Sequence, residues 1–287
     1  RTMAQLASIV KAMPGVELHG VGTNLACLSG VQPGPENMEM LVYIAGELRR
    51  RLGIALPVVS GGNTFNIPLV EDGRMPAGVN HLRLVMGTSM GCMHAWVWGY
   101  TYPGFADGLV PLACAPAPIV GRNRMMRKMI MDDIRNDPAY QGGEYTEQPT
   151  GVIAASQLLF MMTSAPLVQH RQAPTREAAD SLIVAYLAAR VRVTDANDML
   201  YQFAASRDYD PSPHLAQVTA PVLAINSADD LVNPPELGVM ERLMPQVARG
   251  RFILLPISAQ TRGHGTHSVP AVWGAYLADF LRVLPEH

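Results

Sequence analysis

The residues best suited to chemistry in this chain form a serine flanked by glycines, Gly87-Thr88-Ser89-Met90-Gly91. This pattern lies between an apolar run at 81–86 that predicts a strand and a stretch at 90–102 that predicts a helix. Small residues suit such a turn because the serine backbone is strained and neighbouring segments pass close by. We therefore expect Ser89 to be a nucleophile, with the backbone N–H of Met90 donating to an oxyanion. The alternative is that Ser89 only caps the helix.

A serine hydroxyl needs a general base, and the base needs a carboxylate that orients it. The segment 225–230 leaves a predicted strand and ends in two aspartates. We expect Asp229 to be the acid because it comes first after the strand, with Asp230 as the alternative. His264 stands between two glycines after the last predicted strand and is the expected base, with His267 as the alternative. Considered alone, the aspartate pair would suit a solvated turn. Considered alone, His264 would suit an exposed loop.

The composition narrows the class of protein. The 287 residues carry a net charge of −2, so no nucleic-acid-binding surface is expected. No apolar run is long enough to span a membrane. Three cysteines are too few for a disulfide framework or a zinc cluster, and we expect Cys92 to be a buried structural thiol. We expect a cytoplasmic protein with no metal and no cofactor, acting on a small molecule.

The order of predicted elements favours an α/β fold in three layers, with a mostly parallel sheet and right-handed crossovers. Strands are predicted at 16–22, 56–59, 81–86, 108–114, 222–226 and 251–256. Helices are predicted at 36–52, 66–71, 90–102, 122–135, 151–163, 175–190, 195–206 and 270–284. Between 115 and 218 the strand signal disappears, which predicts a helical insertion at about 116–218.

From about His81 onward the chain resembles the homoserine O-acetyltransferase-like branch of the α/β-hydrolases. The resemblance rests on four stretches: Gly87 to Met93, Asp137-Pro138 with Gly142 to Tyr145, Asp195 to Tyr201, and Gly263-His264-Gly265. It implies a Ser-His-Asp triad, which maps onto Ser89, His264 and Asp229, and a covalent acyl-serine. It also implies that the helical insertion forms a lid over a tunnel to the serine, and a homodimer is possible.

One departure from that family concerns the substrate. The acetyltransferases carry an arginine on a lid helix that recognises the amino-acid carboxylate. The matching segment here is Gly151 to Ser156, with Ser156 where the arginine is expected. We therefore expect an esterase, or an acyltransferase that uses another alcohol, acting on small esters or thioesters.

The first eighty or so residues resemble a different family, the pyridoxal-phosphate racemases of the ornithine racemase type. The resemblance rests on Gly20 to Cys27, on Ser60-Gly61-Gly62-Asn63-Thr64 and on Met75 to Arg83. In that β/α-barrel family the Ser-Gly-Gly-Asn turn would hold the cofactor phosphate through backbone N–H groups. Neither lysine of this chain, Lys11 or Lys128, stands in the context of the Schiff-base lysine, so no cofactor is expected.

The two resemblances meet near residue 84. We expect 1–84 to be a racemase-like βαβαβ segment that completes the sheet, and 85–287 to be the catalytic part with its lid. In this arrangement the loop at 22–24 would take the place of the oxyanion loop. Two alternatives are a phosphate- or pyridoxal-phosphate-binding module built on residues 60–64, and a chimeric scaffold that is not catalytic.

Overall fold

The computed structural model describes residues 3–14, 17–22, 34–61, 69, 72–79 and 82–284. Its strands are β1 (Gly20–Gly22), β2 (Val58–Ser60), β3 (Leu82–Thr88), β4 (Ala106–Leu112), β5 (Val222–Ser227) and β6 (Gly250–Leu255). Its α-helices are α1 (Met3–Lys11), α2 (Pro35–Leu52), α3 (Met90–Thr101), α4 (Gly121–Arg135), α5 (Gly151–Thr163), α6 (Pro166–Gln172), α7 (Arg176–Val191), α8 (Ala196–Ala204), α9 (Val239–Leu243) and α10 (Pro270–Arg282). Short 3₁₀ turns join several of these elements.

The central sheet is parallel, with strand order β3-β4-β5-β6. Every residue of β4 and β5 is buried, as expected for strands covered on both faces. Their side chains alternate between two cores. Leu109 and Val222 pack with α3 on one face, whereas Val110 and Leu223 pack with α10 on the other. This gives the predicted α/β fold in three layers.

Strand β4 lies two residues earlier in the chain than the predicted strand at 108–114. Ala113 has a φ of 60°, outside the range of an extended strand, so the ladder stops at Leu112. Cys114 follows, and its sulfur is bonded to that of Cys92 on α3. Cys92 is fully buried, as predicted, but the expectation of a free thiol is wrong because the fold brings the ends of two elements together around it.

A helical insertion between β4 and β5 carries α4 to α8, as predicted. Its own apolar core is centred on Ile130, Ile134, Val152 and Met199. The insertion also contacts the segment that holds the predicted base, because a Cβ at Gly263 would meet Ser164 and Ala165 at about 3.0 Å. The insertion therefore packs beside the predicted site, and its role as a lid stays a prediction.

The N-terminal part forms smaller cores. Helix α2 buries Met38, Leu41, Ala45 and Leu48 at helical spacing and ends at Gly53, which has a φ of 62°. Strands β1 and β2 pair in parallel as a two-stranded sheet. Within the described ranges no ladder joins β2 to β3, so completion of the main sheet by this part stays a prediction. The predicted helix at 66–71 lies almost wholly outside the described residues.

The described residues contain neither a single membrane-spanning helix nor a metal-binding cluster. No single helix there is long and apolar enough for a membrane span, although the α5–α6 pair, bent by 108°, reaches that length and hydropathy together. The same ranges contain no group of three or more histidine, cysteine or carboxylate side chains that could hold a metal ion.

Candidate active site

Ser89 occupies a sharp turn between β3 and α3. Its φ of 54° and ψ of −115° are strained for a residue with a Cβ, and strain of this kind is concentrated at functional sites. A hydrogen bond fixes the turn to the neighbouring strand, since the Ser89 N–H donates to the Leu112 carbonyl on β4 at 2.9 Å. A Cβ at Gly87 would overlap the backbone of Gly91, whereas one at Gly91 would meet nothing within 4 Å. Close approach therefore requires glycine at the first position only.

His264 lies in the loop between β6 and α10 and faces Ser89. Its Nε2 is 2.8 Å from Ser89 Oγ, and its Nδ1 is 2.9 Å from Asp230 Oδ2. A carboxylate can only accept, so Nδ1 carries the proton and Nε2 is left to accept from the serine hydroxyl. The histidine is 7% exposed and Asp230 is 1% exposed. The site thus contains a serine, a base and an acid in one hydrogen-bonded line.

The structure corrects the choice of acid. The carboxylate bonded to His264 belongs to Asp230, the alternative, and not to Asp229. Asp229 is turned elsewhere because it stands two residues after Ser227, whose hydroxyl donates to Asp229 Oδ1 at 2.5 Å. Its other oxygen accepts from the Gly263 N–H at 3.0 Å. Asp229 therefore anchors the loop that carries the histidine but does not touch the imidazole.

The carboxylate of Asp230 has four hydrogen-bond donors. Oδ1 accepts from the backbone N–H of Val232 and of Asn233, and Oδ2 accepts from His264 and from the Asn233 side chain. Burial is the largest influence on the pKa of Asp230 and raises it, but the hydrogen bond and charge of His264 lower it. With the donors Asn233 and Val232, the net result is a pKa below the ordinary value. Asp230 is thus held as a carboxylate.

Asn233 was missed in the sequence analysis. Besides donating to Asp230 Oδ2 at 3.0 Å, its side chain donates to the Ala113 carbonyl at 3.0 Å. It therefore fixes the acid against the end of β4. The available signal was an aspartate followed three residues later by asparagine in a loop, a spacing at which side chain and backbone commonly bond.

His267, the alternative base, lies beside the triad without joining it. Its ring meets that of His264 edge-on at 5.3 Å, and its Nδ1 is 3.0 Å from the Ser268 hydroxyl. Burial lowers the pKa of His267, and repulsion from a protonated His264 lowers it further. His267 therefore favours its neutral form in the folded chain.

The helical insertion is hydrogen-bonded to the loop that holds the acid. Arg122 at the start of α4 donates to the Leu231 carbonyl at 2.7 Å, and Asn123 donates to the Val232 carbonyl at 3.2 Å. Both acceptors directly follow Asp230. A displacement of α4 would therefore displace the segment next to Asp230. Ser156, where a substrate-binding arginine was expected from the resemblance, is fully buried on α5, and its hydroxyl has no partner among the described residues.

Donors for an oxyanion are partly defined. Met90 is the first residue of α3, and the N–H groups of the first helical turn have no intrahelical acceptor. This N–H is therefore available for the role predicted for Met90. The loop at 22–24 was expected to take the place of the oxyanion loop, but residues 23 and 24 lie outside the described residues, and the second donor stays unassigned.

The predicted phosphate turn cannot be followed in full. Ser60 ends β2 and Gly61 follows it, while Gly62, Asn63 and Thr64 lie outside the described residues. The two lysines are engaged elsewhere, since Lys11 donates to the Leu52 carbonyl at 2.6 Å and Lys128 pairs with Asp132 at 2.5 Å.

Comparisons with known proteins find relatives of two kinds, and the match to the first kind is longer than the predicted segment 1–84. Ornithine racemase from Acetoanaerobium sticklandii is 31% identical over 137 residues, which cover 47% of this chain and 38% of the relative. Homoserine O-acetyltransferase from Haemophilus influenzae is 27% identical over 194 residues, which cover 59% of this chain and 53% of the relative. No family model matches the chain. The sequence thus resembles both families named from its motifs.

Solved structures identify the fold. A homoserine O-acetyltransferase from Bacillus anthracis has a TM-score of 0.65 at 21% identity, over 77% of this chain and 64% of that one. Esterase E22 has a TM-score of 0.62 at 20% identity, over 75% of this chain and 64% of that one. The fold is that of the α/β-hydrolases. The chain spans about half or less of the length of the two curated relatives.

Proposed function

We propose that the chain is a serine-dependent esterase or O-acyltransferase that acts on small esters or thioesters through an acyl-serine. One observation carries the proposal: the continuous line from Ser89 Oγ through His264 to Asp230, with distances of 2.8 and 2.9 Å. Resemblance to acetyltransferases and esterases supports the same class of reaction. Asp230 takes the role that the sequence analysis gave to Asp229.

The first half of the reaction forms the acyl-serine. Ser89 Oγ attacks the acyl carbon while its proton passes to His264 Nε2, and the carbonyl electrons move onto oxygen. The Met90 N–H donates to that oxyanion. The oxyanion then collapses, the bond to the leaving alkoxide or thiolate breaks, and His264 returns the proton to the leaving group. Asp230 stabilises the imidazolium that exists between these two transfers.

The second half uses the same groups in reverse. His264 takes a proton from water or from an acceptor alcohol, whose oxygen attacks the acyl carbon. The bond to Ser89 breaks and the serine regains its proton from His264. Water makes the enzyme an esterase, and an alcohol makes it an acyltransferase. Ser156 offers no cation for a carboxylate, which favours a neutral acceptor over an amino acid.

Trapping of the acyl group tests this function. The chain is mixed with p-nitrophenyl acetate and its intact mass is recorded during turnover, with Ser89→Ala as the matched control. The proposal expects a gain of one acetyl group that is absent from the control. Nitrophenol release that rises on addition of a short neutral alcohol identifies transfer, and release that does not respond identifies hydrolysis. Equal acetylation of both proteins would contradict an acyl-serine at Ser89.

A further inference from the structure

A cavity that the triad does not use lies beside the end of β5. Its volume is about 100 Å³, and neither Ser89 nor His264 lines it. Its walls come from α3, from the segment after β4, from the loop after Asp230 and from β6. Most of the wall is apolar, including Met93, Ile119, Val239, Met240, Phe252 and Leu254.

Asn226 supplies the cavity with an unused acceptor. The residue lines the cavity and is 4% exposed. Its side-chain N–H donates to the Cys114 carbonyl at 3.1 Å, which fixes the orientation of the amide. Among the described residues its Oδ1 has no hydrogen-bond partner. A buried carbonyl oxygen without a donor is unfavourable, so a molecule that brings one is stabilised there.

Of the other polar side chains around the cavity, Glu241 is exposed and those that are less exposed already have partners. The hydroxyl of Tyr209 donates to the Ala115 carbonyl at 3.0 Å. The amide groups of Asn123 and Asn233 donate to the carbonyls of Val232 and Ala113. Away from Glu241, the chemistry that is left among the described residues is an apolar wall with one buried free acceptor, Asn226 Oδ1. It selects a molecule with an apolar body and a single O–H or N–H.

We propose that this cavity is a second small-molecule site, separate from the triad, for a compact aliphatic ligand with one hydrogen-bond donor. An apolar cavity of about 150 Å³ accepts benzene, so a space of about 100 Å³ suits a smaller ligand, of about four or five heavy atoms. The donor bonds to Asn226 Oδ1 and the hydrocarbon part packs against the apolar wall.

An occupant would contact the segment that fixes the acid. Val232, Asn233 and Pro234 line the cavity, and Asn233 also donates to Asp230 Oδ2. A ligand that packs against this segment changes its freedom to move, and Asp230 moves with it. Occupancy is therefore linked to the reactivity of Ser89.

Methionine methyl groups report binding directly and need no catalytic activity. The chain is labelled with methyl-13C methionine, and cyclobutanol is titrated while NMR spectra are recorded. We expect the Met93 and Met240 methyl resonances to shift saturably, while that of exposed Met125 stays in place. Tetrahydrofuran, a cyclic ether with the same formula as cyclobutanol, has no donor and should bind about tenfold more weakly. Equal binding of both compounds would overturn the role of Asn226.

Three variants locate the site. Val239→Trp fills the cavity and should abolish the saturable shifts, whereas Ile257→Trp adds the same bulk on the surface and should keep them. Asn226→Leu should remove the preference for the alcohol over the ether. Shifts that stay unsaturated at all concentrations, or that persist in Val239→Trp, would overturn the site and leave a cavity for ordered water only.

The link to the triad has its own readout. The rate at which a fluorophosphonate modifies Ser89 is measured across the same titration. We expect it to change at least about twofold, with the midpoint seen in the methyl spectra. An unchanged rate at saturation would overturn the link.

Discussion

The part of the chain from 82 to 284 and the described part before it differ in how completely they bury their apolar residues. In the former, β4 and β5 are buried throughout and two large cores cover the faces of the sheet. In the latter, strands of three residues meet small cores, and exposed apolar side chains are common on α1 and α2. They include Met3, Leu6, Ile9, Met40 and Tyr43.

The three residues of the triad lie in the part of the chain that buries its apolar residues more completely. Ser89 directly follows β3, and Asp230 and His264 lie in the loops that follow β5 and β6. Their positions depend on neighbouring strands of one sheet and on the bonds that Asn233 and Asp229 make. The printed contacts that hold the triad in place therefore lie among residues 82–284.

The largest expected effect separates the two aspartates. Asp230→Asn should lower the rate of ester hydrolysis by about 10³–10⁴-fold, because an amide cannot hold the histidine in the required tautomer. Asp229→Asn should lower it by only about tenfold, because it weakens one bond to Gly263. Steady-state kinetics on both variants check this order. If Asp229→Asn were the more damaging, the assignment of the acid would be wrong.

A glycine pair tests the turn at Ser89. Gly87→Ala should cost about 3 kcal/mol or more in free energy of unfolding, because its methyl overlaps the backbone of Gly91. Gly91→Ala meets open space on a helix and should change stability by less than about 1 kcal/mol. Denaturant unfolding of the two proteins gives the comparison, and equal losses would refute the close approach.

Core truncations test whether the two parts are independent. Leu223→Ala on β5, fully buried, should lower stability by about 2–5 kcal/mol and reduce labelling of Ser89 with it. Leu48→Ala on α2 removes the same atoms from a small core and should leave the labelling rate within about twofold of the parent. Complete loss of labelling in Leu48→Ala would show that the N-terminal part belongs to the site.

The smallest expected effect concerns the stability of the fold at low pH. The folded-state pKa of His267 lies below its unfolded value, so the unfolded chain takes up the proton first as the pH falls. Its contribution to stability is present above about pH 6.5 and is lost as the pH falls towards the folded pKa. Melting temperatures at about pH 7.5 and about pH 5.5 should therefore differ less in His267→Gln than in the parent. Exposed His170→Gln should keep the full difference.

Much of the fold could be predicted because its signals are local. The apolar runs of β5 and β6 and the spacing of α2 and α5 define those elements, and the order of elements defines a parallel sheet. The choice between Asp229 and Asp230 could not be read from order alone. It depends on which carboxylate the Ser227 hydroxyl and the Gly263 N–H capture, and both contacts come from the folded loop. The Cys92–Cys114 bond likewise depends on where α3 begins relative to the end of β4.

The central claim is that Ser89, His264 and Asp230 form a working triad in this chain. Its most direct test is stoichiometric labelling with a fluorophosphonate probe, followed by intact mass, on the full chain and on Ser89→Ala. We predict one probe per chain in the parent, none in the variant, and strongly slowed labelling in Asp230→Asn. A folded parent chain that takes up no probe, or a Ser89→Ala variant that is labelled equally, would contradict the account.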